Sequence, residues 1–239
     1  MDAVVMAAGE GRRLRPLTER WPKPVLPIDG RPVIATLLHE LAATGLERAW
    51  VVVGHLAEQI ESLVGDGGTF GLEVRYAHQP EPLGSADAVV RALAAGATPP
   101  LLVVAADTVF TPGTVAGVLG RWRATGTIGG LAVRPVPLAE LPERSAVRAE
   151  GGRLLAVVEK PAPGSPRSPL AGAPLWFLAE ELCAGLTDLP GPPYELATAA
   201  QRAIDRGADL AALPIAPTRD LTRPEDVVEE NFPYLLRGR

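Results

Sequence analysis

Cysteine, lysine and long apolar runs are all scarce in this sequence of 239 residues. The single cysteine, Cys183, cannot close an intrachain disulfide, so we expect a core thiol in a reducing compartment. No apolar run is long enough to span a membrane, and no basic-then-apolar leader opens the chain, so we expect a cytoplasmic protein without a membrane partner. The 23 basic residues are outnumbered by 28 acidic ones, which argues against a nucleic-acid partner.

The scarcity of lysine is itself informative. Of the 23 basic residues only Lys23 and Lys160 are lysines, and the rest are arginines. A bias in base composition that replaces lysine wherever charge alone matters is the plain explanation. The two lysines would then mark positions where a compact ammonium serves better than a planar guanidinium, as at a single phosphate oxygen in a tight site. Both are therefore functional candidates.

Most of the sequence alternates between predicted apolar strands and predicted amphipathic helices. It predicts strands at Asp2–Ala8, Ala49–Val53, Leu72–Ala77, Leu101–Ala106, Gly129–Val136, Leu154–Val158, Leu175–Leu178 and Leu210–Ile215. It predicts helices at Val33–Thr44, Leu56–Val64, Ser85–Ala95, from Thr111 to about Ala124, and at Glu195–Arg206. This order indicates one three-layer α/β/α domain with a predominantly parallel, mixed central sheet. Residues 1–125 would form a nucleotide-binding half, and residues 126–239 would cover a second ligand.

A glycine-rich loop follows the first strand, with the sequence Ala7-Ala8-Gly9-Glu10-Gly11-Arg12-Arg13-Leu14. Glycines directly after a buried strand let backbone N–H groups approach an anion, and arginines suit phosphates. An ordinary turn would explain the two glycines equally well. Leu14 stands where a dinucleotide fingerprint needs its third glycine, and the chain has no Gly-Lys-Ser/Thr tripeptide. Neither a dinucleotide fingerprint nor a Walker A loop is therefore predicted.

Two aspartates each follow a predicted strand. Asp107 follows the predicted strand Leu101–Ala106, where open α/β sheets place their ligands, and an N-cap of the next helix is the less favoured alternative. Asp220 follows the predicted strand Leu210–Ile215 and, considered alone, would be a solvated loop charge. After it, the stretch from Thr222 to Glu225 predicts a capping box at the start of the last helix.

A loop between the third strand and the next helix contains Gln79, Gly84 and Ser85. The amide of Gln79 can both donate and accept, which suits the edge of a nucleobase. Ser85 is the predicted N-cap of the helix that follows. A capped connecting loop without a ligand is the simpler alternative.

The glycine-rich loop, continued by Pro16-Leu17-Thr18 and then by Pro22-Lys23-Pro24-x-Leu26-Pro27, resembles the signature of the sugar-1-phosphate nucleotidyltransferases, or NDP-sugar pyrophosphorylases. Arg12 stands where that family has threonine. The resemblance extends from Ala3 to about Leu235. It implies a Rossmann-like nucleotidyltransferase fold and the joining of a nucleoside triphosphate to a sugar 1-phosphate, with release of pyrophosphate.

The resemblance also implies roles for individual residues. Nucleotide contacts fall on Ala8, Gly9, Gly11, Arg12, Arg13, Lys23, Gln79, Gly84 and Ser85. Within that set, Lys23 would act at the α-phosphate and Arg13 at the leaving pyrophosphate, which makes these two the catalytic candidates. Asp107 and Asp220 would hold Mg²⁺. Glu159, Lys160 and Gly172 would form the sugar-phosphate site, where the segment Leu170–Trp176 lacks the asparagine usual in the family.

Two alternatives stay open at this level. One is a cytidylyltransferase for a phosphate that is not a sugar, such as choline phosphate. The other is a catalytically silent paralogue that only binds a nucleotide sugar and regulates. The pattern is compatible with a monomer or a homo-oligomer, and it does not specify the base or the sugar.

Overall fold

A large mixed sheet runs through this computed structural model, which describes residues 1–162 and 168–233. The strands are Asp2–Met6 (β1), Pro27–Ile28 (β2), Arg31–Pro32 (β3), Arg48–Val53 (β4), Glu73–His78 (β5), Leu101–Ala105 (β6), Thr108–Val109 (β7), Gly129–Pro135 (β8), Ser145–Glu150 (β9), Arg153–Glu159 (β10), Leu170–Leu178 (β11), Leu210–Pro214 (β12) and Arg219–Asp220 (β13). The helices are Val33–Ala42 (α1), Ala57–Val64 (α2), Ser85–Ala95 (α3), Thr114–Thr125 (α4), Glu180–Ala184 (α5), Leu196–Asp205 (α6) and Pro224–Asn231 (α7).

The nine strands of the main sheet follow the order β5-β4-β1-β6-β11-β8-β12-β10-β9. β5, β4, β1 and β6 are parallel to one another, and β8 is parallel to β12. β11 is antiparallel to both β6 and β8, so it joins the two parallel groups. The mixed central sheet is thus confirmed, with parallel pairs in the first part of the chain and mostly antiparallel pairs in the second.

Helices cover both faces of the sheet because its strands are apolar on both sides. In β1, Ala3 and Val5 pack into one buried cluster with α1, α2 and α4. Val4 points the other way and packs into a second cluster with α3, α5 and α6. The predicted three-layer α/β/α arrangement is therefore confirmed. No helix in the described part of the chain is long and apolar enough to cross a membrane.

Three predicted features are corrected by the structure. Ser85 is not the N-cap of α3: Gly84 holds that position, and the Ser85 hydroxyl bonds to the start of α6 instead. The last helix begins one residue later than predicted, with Arg223 as N-cap and Asp226 accepting from the Thr222 and Arg223 N–H groups.

The third correction concerns the second half of the sheet. β11 begins at Leu170 rather than Leu175, and β9 and α5 lie where the sequence predicts no element. β9 reads Ser-Ala-Val-Arg-Ala-Glu, so its charges hide the strand alternation. The division of the chain at residue 125 stays a prediction, and Leu235 lies outside the described residues.

Cys183 lies in the core, as predicted. It is buried in the cluster beside Leu182, and burial raises the pKa of its thiol to about 12. The thiol is therefore protonated at neutral pH and behaves as a small apolar side chain.

Candidate active site

Two adjoining pockets open at the carboxyl ends of β1 and β6, where open α/β sheets bind ligands. The first, of about 260 Å³, is lined by the glycine-rich loop together with Lys23 and Leu221. The second, of about 310 Å³, is lined mainly by residues from the second half of the chain. Met6, Arg13, Ala105 and Asp107 line both, so the two pockets form one cleft.

The glycine-rich loop is open at Gly9 and closed at Gly11. A Cβ atom added to Gly9 would meet nothing within 4 Å, which leaves the backbone accessible from the cleft. Gly11 has a φ of +60°, and an added Cβ would lie 2.9 Å from Cγ2 of Thr18. The Thr18 hydroxyl donates to the Gly11 carbonyl at 2.9 Å, which folds the loop back on itself. A side chain at position 11 would therefore displace the loop.

Ala8 contributes its backbone and not its side chain. Its methyl group is buried, and an added Cβ on Gly54 would lie 3.0 Å from it and 2.6 Å from the Gln79 carbonyl oxygen. Gly54 therefore keeps the ends of β1, β4 and β5 close together. Sequence reasoning missed it, although a glycine at the end of a buried strand is a signal of close backbone approach.

Both arginines of the loop pair with carboxylates. Arg12 donates to Glu10 at 2.8 Å, and this hydrogen bond lowers the pKa of Glu10 and raises that of Arg12. Arg13 donates to Glu143 at 2.6 Å, which links the loop to the second half of the chain. The Arg13 and Glu143 side chains are both largely exposed, so a phosphate can replace the carboxylate at little cost.

Lys23 lines the first pocket and contacts Asp107, which lines both pockets. It stands in a 3-10 turn, Lys23–Val25, between Pro22 and Pro24. Its ammonium donates to Oδ2 of Asp107 at 2.6 Å, and its side chain is only 12% exposed. Pro22 and Pro24 restrict the backbone on either side of the lysine. The ammonium is thereby directed at the carboxyl end of β6.

Asp107 and Asp220 are brought together by the ladder between β7 and β13. In this ladder Asp220 is paired with Thr108, the residue directly after Asp107. Both aspartates line the second pocket. They provide hard oxygen donors beside open space, which fits Mg²⁺, because this ion takes few protein ligands and keeps water or substrate oxygens. The described residues contain no group of three potential metal-ligating side chains, so substrate would have to complete such a site.

The residues predicted to bind the sugar phosphate, Glu159, Lys160 and Gly172, line the second pocket. The Ser145 hydroxyl donates a short hydrogen bond to Glu159. Lys160 has a φ of +44°, a conformation that costs a non-glycine residue about 1–3 kcal/mol, and its N–H donates to the Arg144 carbonyl at 3.0 Å. Strain of this kind concentrates at ligand sites, and Glu159 and Lys160 both line this pocket.

Gly172 marks an irregularity in β11. The pairing with β8 shifts between Gly172 and Trp176, and Gly172, Ala173, Pro174 and Trp176 line the pocket. Pro174 lies within the bulge, where the missing N–H breaks no ladder bond. An added Cβ at Gly172 would lie 3.1 Å from Leu131 and 3.4 Å from Ser145. The segment Leu170–Trp176, which lacks the asparagine that the resemblance leads one to expect, is therefore the irregular part of this strand.

The predicted base-reading loop is only partly in the cleft. Gln79 is buried, and its amide nitrogen donates to the Gly84 carbonyl at 3.0 Å and to Asp87 at 2.8 Å. Both of its N–H groups are thus used within the protein, which leaves its oxygen as the free group. Gln79 and Gly84 are not among the residues that line the two pockets described above, whereas Ser85 is. Ser85 and Glu195 both line the second pocket, and Glu195 accepts a hydrogen bond from the Ser85 hydroxyl at 2.5 Å.

Several lining residues escaped sequence reasoning. They come from β8, the start of β9 and the turn before it, the N-cap of α6 and the loop before β13: Arg134, Glu143, Arg144, Ser145, Glu195 and Thr218. Arg134 carried a usable signal, because it is a charged residue near the end of a buried apolar strand. The others depend on pairings that only the folded chain creates.

The fold and the cleft define an α/β protein in which loop backbone, a lysine and two carboxylates meet at the carboxyl edge of the sheet. The chain belongs to the nucleotidyl transferase family, whose model matches residues 2–216. It is 31% identical to a glucose-1-phosphate thymidylyltransferase of Streptomyces griseus over 241 residues, covering 97% of this chain and 65% of that protein. It is 39% identical over 112 residues to the N-acetylmuramate alpha-1-phosphate uridylyltransferase of Neisseria meningitidis, covering 45% of this chain and 47% of that one.

Solved structures agree on the fold. A UDP-glucose pyrophosphorylase complexed with UDP-glucose has a TM-score of 0.84 at 21% identity, covering 99% of this chain and 98% of that one. A putative glucose-1-phosphate thymidylyltransferase of Bacillus anthracis has a TM-score of 0.85 at 18% identity, covering 100% and 96%. The chain spans about 65% of the length of the two Streptomyces thymidylyltransferases that it matches.

Proposed function

We propose that this chain joins a nucleoside triphosphate to a sugar 1-phosphate, giving an NDP-sugar and pyrophosphate. The observation that carries the proposal is the contact between Lys23 and Asp107, with Asp220 held beside them by the β7–β13 ladder. The same cleft contains Glu159 and Lys160, so both substrates can meet there. The named activities of the relatives in Streptomyces and Neisseria support this reaction class.

In this reaction the residues of the cleft would bind and position the two substrates. The phosphate of the acceptor is already an anion, so the reaction needs no general base. What the protein must supply is positioning and positive charge for two polyanions that repel each other. Lys23 would bind the α-phosphate, Arg13 the departing pyrophosphate and Lys160 the incoming phosphate. Glu159 would accept hydrogen bonds from the sugar hydroxyls.

Asp107 and Asp220 would hold Mg²⁺, since their carboxylates share one wall of the cleft. When bound, the ion would neutralise phosphate charge. The ammonium of Lys23 contacts Asp107, and a bound triphosphate would offer it a second anionic oxygen. Lys23 would thus link the metal-binding carboxylate to the α-phosphate.

The test is a matrix of nucleotides and acceptors. Purified protein would be incubated with MgCl₂ and each of UTP, dTTP, GTP and CTP, combined with glucose 1-phosphate, mannose 1-phosphate or choline phosphate, and pyrophosphate release would be followed. We expect release with at least one sugar 1-phosphate and none after EDTA. Release only with CTP and choline phosphate would favour a cytidylyltransferase. Binding of UDP-glucose without any release would indicate a silent regulatory paralogue.

A further inference from the structure

Arg134 is a buried cation without a partner. It is the penultimate residue of β8, paired with Ala171 of β11, and only 7% of it is exposed. Its Nε atom has no hydrogen-bond partner, and within residues 1–162 and 168–233 no carboxylate forms an ion pair with its guanidinium. A buried guanidinium is normally paired, because burying an isolated charge is costly. The protein alone therefore leaves this side chain incomplete.

The surroundings of Arg134 add to the imbalance. Burial lowers the pKa of its guanidinium, and the neighbouring Arg144 lowers it further, while Asp220 and Glu140 only partly oppose this. Arg144 itself is bonded to Glu140 at 3.0 Å. Arg134 and Arg144 thus lie close together, and the nearby Glu140 carboxylate is already paired with Arg144. A negatively charged ligand would compensate both the lost solvation and the repulsion.

Arg134 lines the second pocket, which also contains Lys160 and Asp220. Thr218 lines the same pocket, and its buried hydroxyl has no hydrogen-bond partner. An unsatisfied hydroxyl and an unsatisfied guanidinium in one pocket indicate a missing oxygen-rich anion. Gly9, Gly11 and Lys23 line only the other pocket, so the anion at Arg134 is not the one that the loop backbone would hold.

We propose that Arg134 binds the phosphate of the acceptor substrate, with the Thr218 hydroxyl as a further donor. This inference rests on the proposed function and adds a specificity residue to it. A guanidinium presents a fork of N–H groups that matches two phosphate oxygens, and a lysine supplies a point charge beside it. Arg134 and Lys160 would therefore together select a phosphate monoester over the free sugar.

The proposal is tested with Arg134→Met and with Arg148→Met as a matched control, since Arg148 is an exposed arginine on β9, the next strand along the chain. Because the substitution removes an uncompensated charge, Arg134→Met is expected to raise the melting temperature of the ligand-free protein by about 2–4 °C. A purely structural arginine would lower it. An Arg134→Met protein that melts below the wild type contradicts the proposal.

Binding is measured by calorimetry with glucose 1-phosphate, pyrophosphate and free glucose as separate probes. We expect Arg134→Met to weaken glucose 1-phosphate binding about 10- to 100-fold and to leave pyrophosphate unchanged, while Arg148→Met changes neither. Equal affinity of wild type and Arg134→Met for glucose 1-phosphate, or a loss confined to pyrophosphate, overturns the assignment. Arg134→Lys, which keeps the charge and loses the fork, is expected to fall between the two.

Failure of the proposed function would look different. If the wild-type protein releases no pyrophosphate with any sugar 1-phosphate and does not bind glucose 1-phosphate, the reaction is wrong and the assignment of Arg134 to an acceptor phosphate falls with it. If the wild-type protein is active and Arg134→Met has the same KM for its acceptor, only the assignment of Arg134 is wrong.

Discussion

Gly84 is the position where a single methyl group should do the most damage. It adopts φ +111° and ψ 172°, a region that is essentially restricted to glycine. A Cβ atom there would lie 2.3 Å from the Tyr194 carbonyl oxygen and 2.8 Å from the Tyr194 carbonyl carbon and nitrogen. None of these is a side-chain atom that can rotate away. Gly84→Ala must therefore separate the start of α3 from the segment that leads into α6.

The expected loss of folding stability follows from the contacts that Gly84→Ala would break. The Ala86 N–H donates to the Tyr194 carbonyl at 2.8 Å, and the Tyr194 N–H donates to the Leu83 carbonyl at 2.7 Å. Two such hydrogen bonds are worth about 0.5–1.5 kcal/mol each, and the backbone strain adds about 1–3 kcal/mol. We expect Gly84→Ala to lower the free energy of unfolding by about 2–6 kcal/mol, a large part of the stability of a typical domain.

Urea denaturation followed by circular dichroism would measure this, with Gly126→Ala as the control. Gly126 also has a positive φ, +67°, but an added Cβ would meet nothing within 4 Å, so its substitution carries only the conformational cost of about 1–2 kcal/mol. A Gly84→Ala midpoint equal to that of Gly126→Ala would refute the argument from the Tyr194 contact.

Three further predictions concern charge and burial. Lys23→Ala is expected to lower kcat in the pyrophosphate assay about 10²- to 10³-fold through lost transition-state electrostatics, and an unchanged kcat would remove its role. Arg219 bonds to Asp29 at 3.0 Å and to Glu230 at 2.6 Å, and it lowers the pKa of Asp29. This ion pair stabilises the fold above the ordinary aspartate pKa, and the stabilisation is lost as pH falls through the lowered pKa of Asp29. Wild type and Arg219→Met should therefore differ in urea midpoint at pH 7 and converge near pH 2. An equal difference in midpoint at both pH values would contradict this. Iodoacetamide at pH 8 should label Cys183 only after denaturation, because burial raises the pKa of its thiol to about 12, and rapid labelling of the native protein would show that the thiol is accessible.

The first half of the fold could be predicted because its strands are continuous apolar runs. β1, β4 and β6 begin and end within two residues of the predicted bounds, since a buried parallel strand needs apolar residues on both faces. Strand β9, which pairs with both β10 and β11, could not be predicted, because the charged residues Arg148 and Glu150 interrupt its apolar pattern. The two-residue strands β7 and β13 carry no pattern of their own, and they form only where the tertiary fold brings them together.

The candidate site divides in the same way. Lys23 and Asp107 stand in recognisable frames, and the structure places their charged atoms in contact. The partners that complete the cleft are distant in sequence. Glu195 lies 110 residues from Ser85, and Glu143 lies 130 residues from Arg13. Sequence reasoning assigned Ser85 to its own helix because local capping is the commoner use of a serine, and only the folded chain shows the hydroxyl bonded to another helix.

The short ladder between β7 and β13 has a consequence for how such a protein can diversify. It couples one carboxylate from early in the chain to one from late in the chain through a single pair of strands. The walls around Glu159 and Gly172 are not part of that ladder. If the proposed reaction holds, insertions or substitutions in those walls would change which acceptor fits without altering the spacing of Asp107 and Asp220, so new substrates could evolve while the chemistry is conserved.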